Sequence, residues 1–304
     1  MRLTLLADGS LGAPALSFLA STRLLAGVAW GPSDPACRDW VGQVCRDAGV
    51  PFQAVADRDS LTGWIQSAQP DLAIAFGCPW KLPPALLALP RLGWMNLHGG
   101  PLPAYRGPQP VFWQIRNGER ESALVAHRID AGFDTGPILA ALPIPLGPGT
   151  THGALTQALA IAAPVLLEQL LEALKVQGEA FLEGARPQGE GRTWPRPGPG
   201  DVRIDWAAMD SRQVLALVRA CNPWNSGAWT SLQGQPCRIV EATLAAGLER
   251  AGPPGSVQLA ADGRLAVACM DGLGLWLEIL RLEEGFFTGS RLRAMGIGPG
   301  AMFA

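Results

Sequence analysis

The chain is expected to fold as an α/β protein with a mostly parallel, helix-flanked sheet, followed by a small β-rich domain. Three observations predict this. Short apolar runs alternate with helical spacings over the first ~180 residues. A Pro/Gly/Arg-rich stretch, 184–201, then breaks the pattern. After it, five short strand-like runs follow at close spacing.

Each element has a local reason. RLTLLA (2–7) is a short apolar run, and DGSLGAP (8–14) a tight turn into the helical ALSFLAS; it lacks the G-x-G-x-x-G spacing of a dinucleotide loop. RLLAGVAW (23–30) is a second strand. Over 37–49, Trp40, Val41, Val44 and Cys45 share one helical face, and Gly49 marks the stop. PFQAV is a third strand, LTGWIQSA a helix, DLAIAFG (71–77) a fourth strand and LGWMNLH (92–98) a fifth. SALVAHRID (122–130) and PILAALPIPL continue as strands. Residues 151–178 carry the longest helix signal, with a kink or break expected at Pro164. The stretch 184–201 reads as a linker. The expected division is a domain over 1–183, a linker over 184–200 and a second domain over 201–304.

Composition narrows the function. Net charge is −2 with a pI near 6.0, and no polybasic run is present. A phosphate-tracking surface needs clustered cations, so composition argues against nonspecific nucleic-acid binding. Only Lys81 and Lys175 are lysines. No stretch reads as the ~20 apolar residues of a membrane span, and the N-terminal apolar run, cut by Asp8, is too short for a secretory signal. The six cysteines form no C-x-x-C pair and read as reduced thiols of a cytoplasmic protein. No His/Cys spacing suggests a metal site.

Two polar clusters carry the chemistry: Asn96-Leu97-His98, and Asp130 through Gly136 (DAGFDTG). Ligands of α/β sheets bind beyond the carboxyl ends of strands, and both clusters are expected at neighbouring strand ends. A histidine exchanges protons near neutrality. A carboxylate beside it orients the ring, and an asparagine amide can donate to a developing oxyanion. The trio suits acyl transfer to a nucleophile supplied by the substrate. Cys78 is the only nearby thiol candidate. His127 reads as a strand residue, His152 as a helix-start residue, and Trp224 and Trp229 as packing for the second domain.

The run FGCPWKLPPALLALPRLGWMNLHGGPLPAYRGPQPVFWQIRNGE, followed by DAGFDTGPIL, resembles the formyltransferases that use 10-formyltetrahydrofolate. The shared pattern is Asn-x-His, Leu-Pro-x-x-Arg-Gly (102–107) and Asp-x-Gly-x-Asp-Thr-Gly (130–136). IDW (204–206) and CNPWNSGAWT (221–230) extend the resemblance into the second domain. It implies a Rossmann-like catalytic domain and an OB-like barrel. It also implies that Asn96 stabilises the oxyanion, His98 is the general base and Asp134 orients His98. By the same resemblance Trp80, Lys81, Leu82, Asp130, Ala131, Gly132 and Phe133 line the pterin site. Gly100, Pro101, Leu102 and Pro103 form the loop beneath the formyl group, and Arg106 is a candidate contact to the acceptor. Two positions depart from the family: Gly100-Pro101-Leu102-Pro103 replaces the common Ser-Leu-Leu-Pro, and Pro108 stands where amino-sugar enzymes often carry Arg.

The acceptor is expected to be the primary amine of a small molecule, such as an amino sugar on a nucleotide carrier or an amino-acid-derived amine. The resemblance places a long basic loop after the second strand in the tRNA enzymes. Here GPSDPACRDW (31–40) is short and holds two acidic residues, Asp34 and Asp39, and one Arg, so it should not attract phosphate. Methionyl-tRNA formyltransferase is the alternative, and a non-catalytic folate-binding protein a further one.

Overall fold

In the computed structural model, which describes residues 1–78, 80–246, 248 and 252–304, the apolar runs of the first half form one seven-stranded sheet. Its strands are β1 (Leu3–Ala7), β2 (Leu25–Trp30), β3 (Phe52–Ala54), β4 (Leu72–Phe76), β5 (Trp94–His98), β6 (Glu121–Arg128) and β7 (Ile138–Pro145). The order is β3-β2-β1-β4-β5-β6-β7. The first five are parallel, whereas β6 runs antiparallel to β5, and β7 antiparallel to β6. β1 and β4 are buried along their whole length, as parallel strands covered on both faces must be.

Helices α1 (Ala13–Ser21), α2 (Pro35–Ala48), α3 (Arg58–Ala68) and α4 (Pro84–Leu87) connect the parallel strands. Asp34 caps α2 by accepting from the Cys37 N–H, and Gly49 ends it at φ 66°. Leu61, Trp64 and Ile65 of α3 pack with Leu6, Ala29, Ala73, Ala75 and Trp94 on one sheet face. Gly12, at the start of α1, lies against Ala7 and Trp30 on the other. Within α2, Val41 and Cys45 are buried as the spacing predicts, but Trp40 is 45% exposed.

After the short α5 (Pro110–Arg116) and the β6–β7 pair comes α6 (His152–Gln177), a single helix that runs through Pro164 without a break. Its length and apolar composition would suffice to cross a membrane, which corrects the reading that no stretch approaches a span. Leu159, Ala163, Leu166, Leu170 and Leu174 form its buried stripe, the i, i+4, i+7 pattern of a core helix. α7 (Glu179–Glu183) follows.

The chain divides into two compact units. One holds 1–110, 121–145 and 156–195; the other holds 111–120, 146–155 and 196–304. Residues 185–195 are therefore not a free tether, contrary to the linker reading. Arg186 exchanges two backbone hydrogen bonds with Ile138, both 2.8 Å, and Arg192 and Trp194 pair with the 103–106 loop.

In the second unit α8 (Ser211–Ala220) starts with an Asp210/Gln213 capping box. The strands are β8 (Ala228–Leu232), β9 (Gln235–Leu244), β10 (Val257–Leu259), β11 (Leu265–Ala268), β12 (Gly274–Leu282) and β13 (Gly285–Thr288), followed by α9 (Gly289–Ala294). They form an antiparallel sheet ordered β10-β11-β12-β9-β8, with β13 beside β12. The last residues join its two edges: Ser231 pairs with Ala304, and Val257 donates to Ala301. Trp224 stacks on His152 at 5.7 Å. Trp229 does not pack inside; it is 41% exposed, with the Arg238 guanidinium 4.9 Å above its ring. All six cysteines are free thiols.

Candidate active site

Strand alternation sends Trp94, Asn96 and His98 to one face of β5 and Met95 and Leu97 to the other. The antiparallel register sets His127 of β6 directly opposite Asn96, so the two side chains meet on that face. This register also corrects the expected placement of the aspartate cluster. Arg128, the last residue of β6, pairs with Met95, near the start of β5 rather than beside His98. The 129–137 loop must therefore fold back to bring Asp134 to His98.

That loop is held by its own side chains. Asp130 Oδ1 accepts from the Gly132 N–H at 2.9 Å and the Thr135 hydroxyl at 2.6 Å, a local turn that the Asp side chain closes. Gly136 sits where a Cβ would lie 1.9 Å from the Arg128 carbonyl oxygen. Asp134 adopts φ 54°, a left-handed conformation uncommon outside Gly and tolerated best by Asn and Asp. Its Oδ2 accepts from the Gly107 N–H at 2.9 Å. Gly107 itself has φ 112°, and a Cβ there would meet the Trp194 carbonyl oxygen at 2.1 Å.

The three motif residues converge. His98 Nδ1 lies 3.6 Å from Asp134 Oδ1. His98 Nε2 is 2.6 Å from the Tyr105 carbonyl oxygen. A carbonyl only accepts, so Nε2 carries the proton and the lone pair of the neutral ring sits on Nδ1, facing Asp134. His127 Nδ1 donates to the Arg128 carbonyl at 2.8 Å, which leaves Nε2 to accept from Asn96 Nδ2 at 3.1 Å. His127 Nε2 is also 3.5 Å from Asp134 Oδ1. His127, read from the sequence as a strand residue only, thus belongs to the cluster.

Burial lowers the His98 pKa below its ordinary 6.5, partly opposed by the Asp134 charge and the Tyr105 hydrogen bond. Burial pushes Asp134 upward, but His98, His127 and the Gly107 N–H outweigh it and hold the carboxyl at about 2. Near neutrality the pair is a carboxylate facing a neutral imidazole. The Cys78 thiol is raised to about 11, chiefly by burial, and is no nucleophile at that value.

The other predicted residues are spread over the neighbouring loops and the core. Lys81 and Phe133 meet, with the ammonium 5.3 Å from the ring centroid and the ring 54% exposed. The segment after β4 and the 130–133 turn are therefore neighbours, with Trp80 partly buried beside the α3 cluster. Leu82 and Leu102 instead point into the core, Leu102 against Ala123, Val125 and Ile138. Ala131 and Gly132 lie in the turn closed by Asp130. Gly100, Pro101 and Pro103 form the turn after β5, where the Tyr105 N–H donates to Pro101 and the Arg192 N–H to Pro103. Arg106 directs Nε and Nη2 to Gln188 Oε1, at 3.1 and 2.9 Å, and Nη2 also to the Gly189 carbonyl.

Comparison with known proteins bears on the family of the chain. Residues 39–171 match the formyl transferase family model, and residues 198–286 match the formyl transferase C-terminal domain. The methionyl-tRNA formyltransferase of Sorangium cellulosum (strain So ce56) is 34% identical over 300 residues, covering 93% of this chain and 92% of the relative. That of Roseiflexus castenholzii (strain DSM 13941 / HLO8) is 34% identical over 285 residues, covering 86% and 87%. Among solved structures, the sugar 3N-formyl transferase WlaRD, determined with dTDP and 5-N-formyl-THF, aligns with a TM-score of 0.68 at 15% identity, covering 91% of this chain and 96% of that one. The N-formyltransferase of Helicobacter canadensis aligns at 0.67 and 14% identity, covering 91% and 98%. These structural likenesses bear on the fold. The sequence matches bear on descent, and by them the chain belongs to the formyltransferase family.

Proposed function

We propose that this enzyme transfers the formyl group of 10-formyltetrahydrofolate, the donor its family uses, to the primary amine of a small-molecule acceptor. The observation that carries the reading is the convergence of Asn96, His98 and Asp134 on one sheet face, with the His98 lone pair on the side of the carboxylate. The Lys81–Phe133 contact supports the donor assignment. It joins the two segments that the family resemblance gives to the pterin and leaves an aromatic face exposed beside them. The donor supplies an activated formyl carbon.

The chain's own groups then divide the work. One Asn96 amide hydrogen is held by His127, which turns the side chain; the other serves the oxyanion that forms as the amine adds. Removing such a donor typically costs about 3 kcal/mol of barrier. His98 Nδ1 takes the proton from the attacking amine, and the imidazolium so formed is stabilised by Asp134. Asp134 stays ionised throughout, because its carboxyl is held at about 2. Returning the proton to the departing folate nitrogen resets His98.

The small-acceptor reading is supported by the β2–α2 connection. It consists of residues 31–34 alone, contains no Lys or Arg, and its Ser33 binds the Asp8 carboxylate. A second reading, methionyl-tRNA as acceptor, is favoured by the near-full-length similarity to methionyl-tRNA formyltransferases. The test is transfer of labelled formyl from 10-formyltetrahydrofolate to charged initiator tRNA and to a panel of amino-sugar nucleotides and amino acids. Labelling of a small amine with tRNA inert supports the first reading; labelling of tRNA alone replaces it with the second.

A further inference from the structure

The segment that looks like a linker carries one side chain whose hydrogen-bonding capacity is fully used inside the catalytic unit. Gln188 Nε2 donates to the carbonyls of Asp134 and Gly136, at 2.9 and 2.7 Å. Its Oε1 accepts from Arg106 Nε and Nη2, at 3.1 and 2.9 Å. An amide has two N–H donors and an oxygen with two lone pairs, so all four are engaged. The orientation is dictated by the partners. A flipped amide would set its oxygen against two carbonyl oxygens and its NH2 against guanidinium donors, which loses every bond.

These four bonds span the two loops that hold the Asp134 carboxylate. Arg106 immediately precedes Gly107, whose N–H grips Asp134 Oδ2. On the other loop, Gln188 grips the Asp134 carbonyl and the one two residues on. Asp134 sits in the left-handed region, where a non-glycine residue persists only if its surroundings over-determine it. The backbone of 185–195 fixes Gln188 in turn, through the Arg186–Ile138 exchange and the pairings of Arg192 and Trp194 with residues 103 and 106.

We propose that Gln188 is a positioning residue, which holds Asp134 in its left-handed conformation and so keeps the carboxylate on His98. The inference rests on the proposed role of Asp134. It assigns Arg106 to the same scaffold, as the anchor of Gln188, in place of the acceptor contact that the sequence suggests. The alternative is that Gln188 only fastens the 185–195 segment through Arg106.

The test needs no acceptor. The chain has three histidines, so the imidazole 15N resonances can be assigned by single substitutions and titrated in the full-length protein. Asp134→Asn is expected to lower the His98 pKa by about 1, the loss of a nearby opposite charge. Gln188→Met is expected to lower it by about half that or more, and to add nothing in the Asp134→Asn background. A His98 titration unmoved by Gln188→Met, while Asp134→Asn moves it, overturns the positioning role. So does an equal shift from Gln188→Met in both backgrounds. A titration unmoved by Asp134→Asn itself contradicts the Asp134 assignment instead.

Gln188→Glu provides a second readout in a protein that keeps the Arg106 anchor. Its carboxylate faces the two carbonyls with no hydrogen to donate. Amide exchange of the Gly107 N–H, which Asp134 protects, is then expected to accelerate about tenfold or more. Exchange at the wild-type rate means that the Arg106 side alone matters, and overturns the proposal.

Discussion

Asp134→Asn separates the charge of this residue from its shape. Asparagine tolerates the left-handed φ as well as aspartate does, and its carbonyl oxygen can still accept from Gly107. What is lost is the negative charge facing His98 and His127. Burial raises the folded carboxyl, yet it is held at about 2 against an ordinary value of 3.8, with the His98 charge the largest cause that lowers it. The difference of roughly 1.8 corresponds to about 2 kcal/mol, reached in full only where His98 is protonated, below its lowered pKa. Because the folded carboxyl value is the lower one, this stabilisation is lost as pH falls through 2. Urea unfolding followed by tryptophan fluorescence should therefore find the gap between wild type and variant widest below pH 6.5, at up to about 2 kcal/mol, and smaller at pH 7, where His98 is neutral. Towards pH 2 the gap should narrow again. No gap at any pH between 4 and 7, or a gap that keeps widening below pH 2, would refute the argument that the site holds this carboxylate ionised.

Three other expectations follow from the geometry. Burial lowers His98, so a base mechanism keeps kcat level as pH falls through 6.5 and breaks at a lower value; a break at or above 6.5 contradicts it. Gly107→Ala forces a Cβ to 2.1 Å from the Trp194 carbonyl at φ 112°. It should cost about 2 kcal/mol or more in urea unfolding, and a loss under 0.5 would show that the loop yields freely. Phe133→Ala removes a half-exposed ring under Lys81. Calorimetry should find donor binding weakened about fivefold, roughly 1 kcal/mol, with stability within about 0.5 kcal/mol of wild type; unchanged donor affinity would remove Phe133 from the pterin site.

Much of this molecule is legible in local sequence. Apolar runs bounded by Gly, Pro and Asp place the parallel strands, and the alternation WMNLH already sets Asn96 and His98 on one face. What is not legible depends on pairings distant in sequence. Nothing local says that β6 enters antiparallel, yet that register puts His127 against Asn96 and requires the Asp134 loop to fold back. The spacing of two residues between Asn and His matches a strand face, and a search for a histidine on the next strand was the one available signal for His127. Composition misled at 185–195. Pro, Gly and Arg there suggest a tether, but Arg186, Arg192 and Trp194 make backbone ladders with the catalytic unit. Arg106 is open on sequence alone between a contact to an anionic acceptor and a tie for its own loop; in the structure it binds a neutral amide and a carbonyl.

The central claim is tested most directly by labelled formyl transfer from 10-formyltetrahydrofolate, using wild type and His98→Gln, with a panel of amino-sugar nucleotides and amino acids and charged initiator tRNA as parallel acceptors and donor binding measured by calorimetry. The account predicts transfer to a small amine of the panel by wild type. It predicts a loss of about 100-fold or more in His98→Gln, with donor affinity unchanged. Transfer by His98→Gln at the wild-type rate would contradict it.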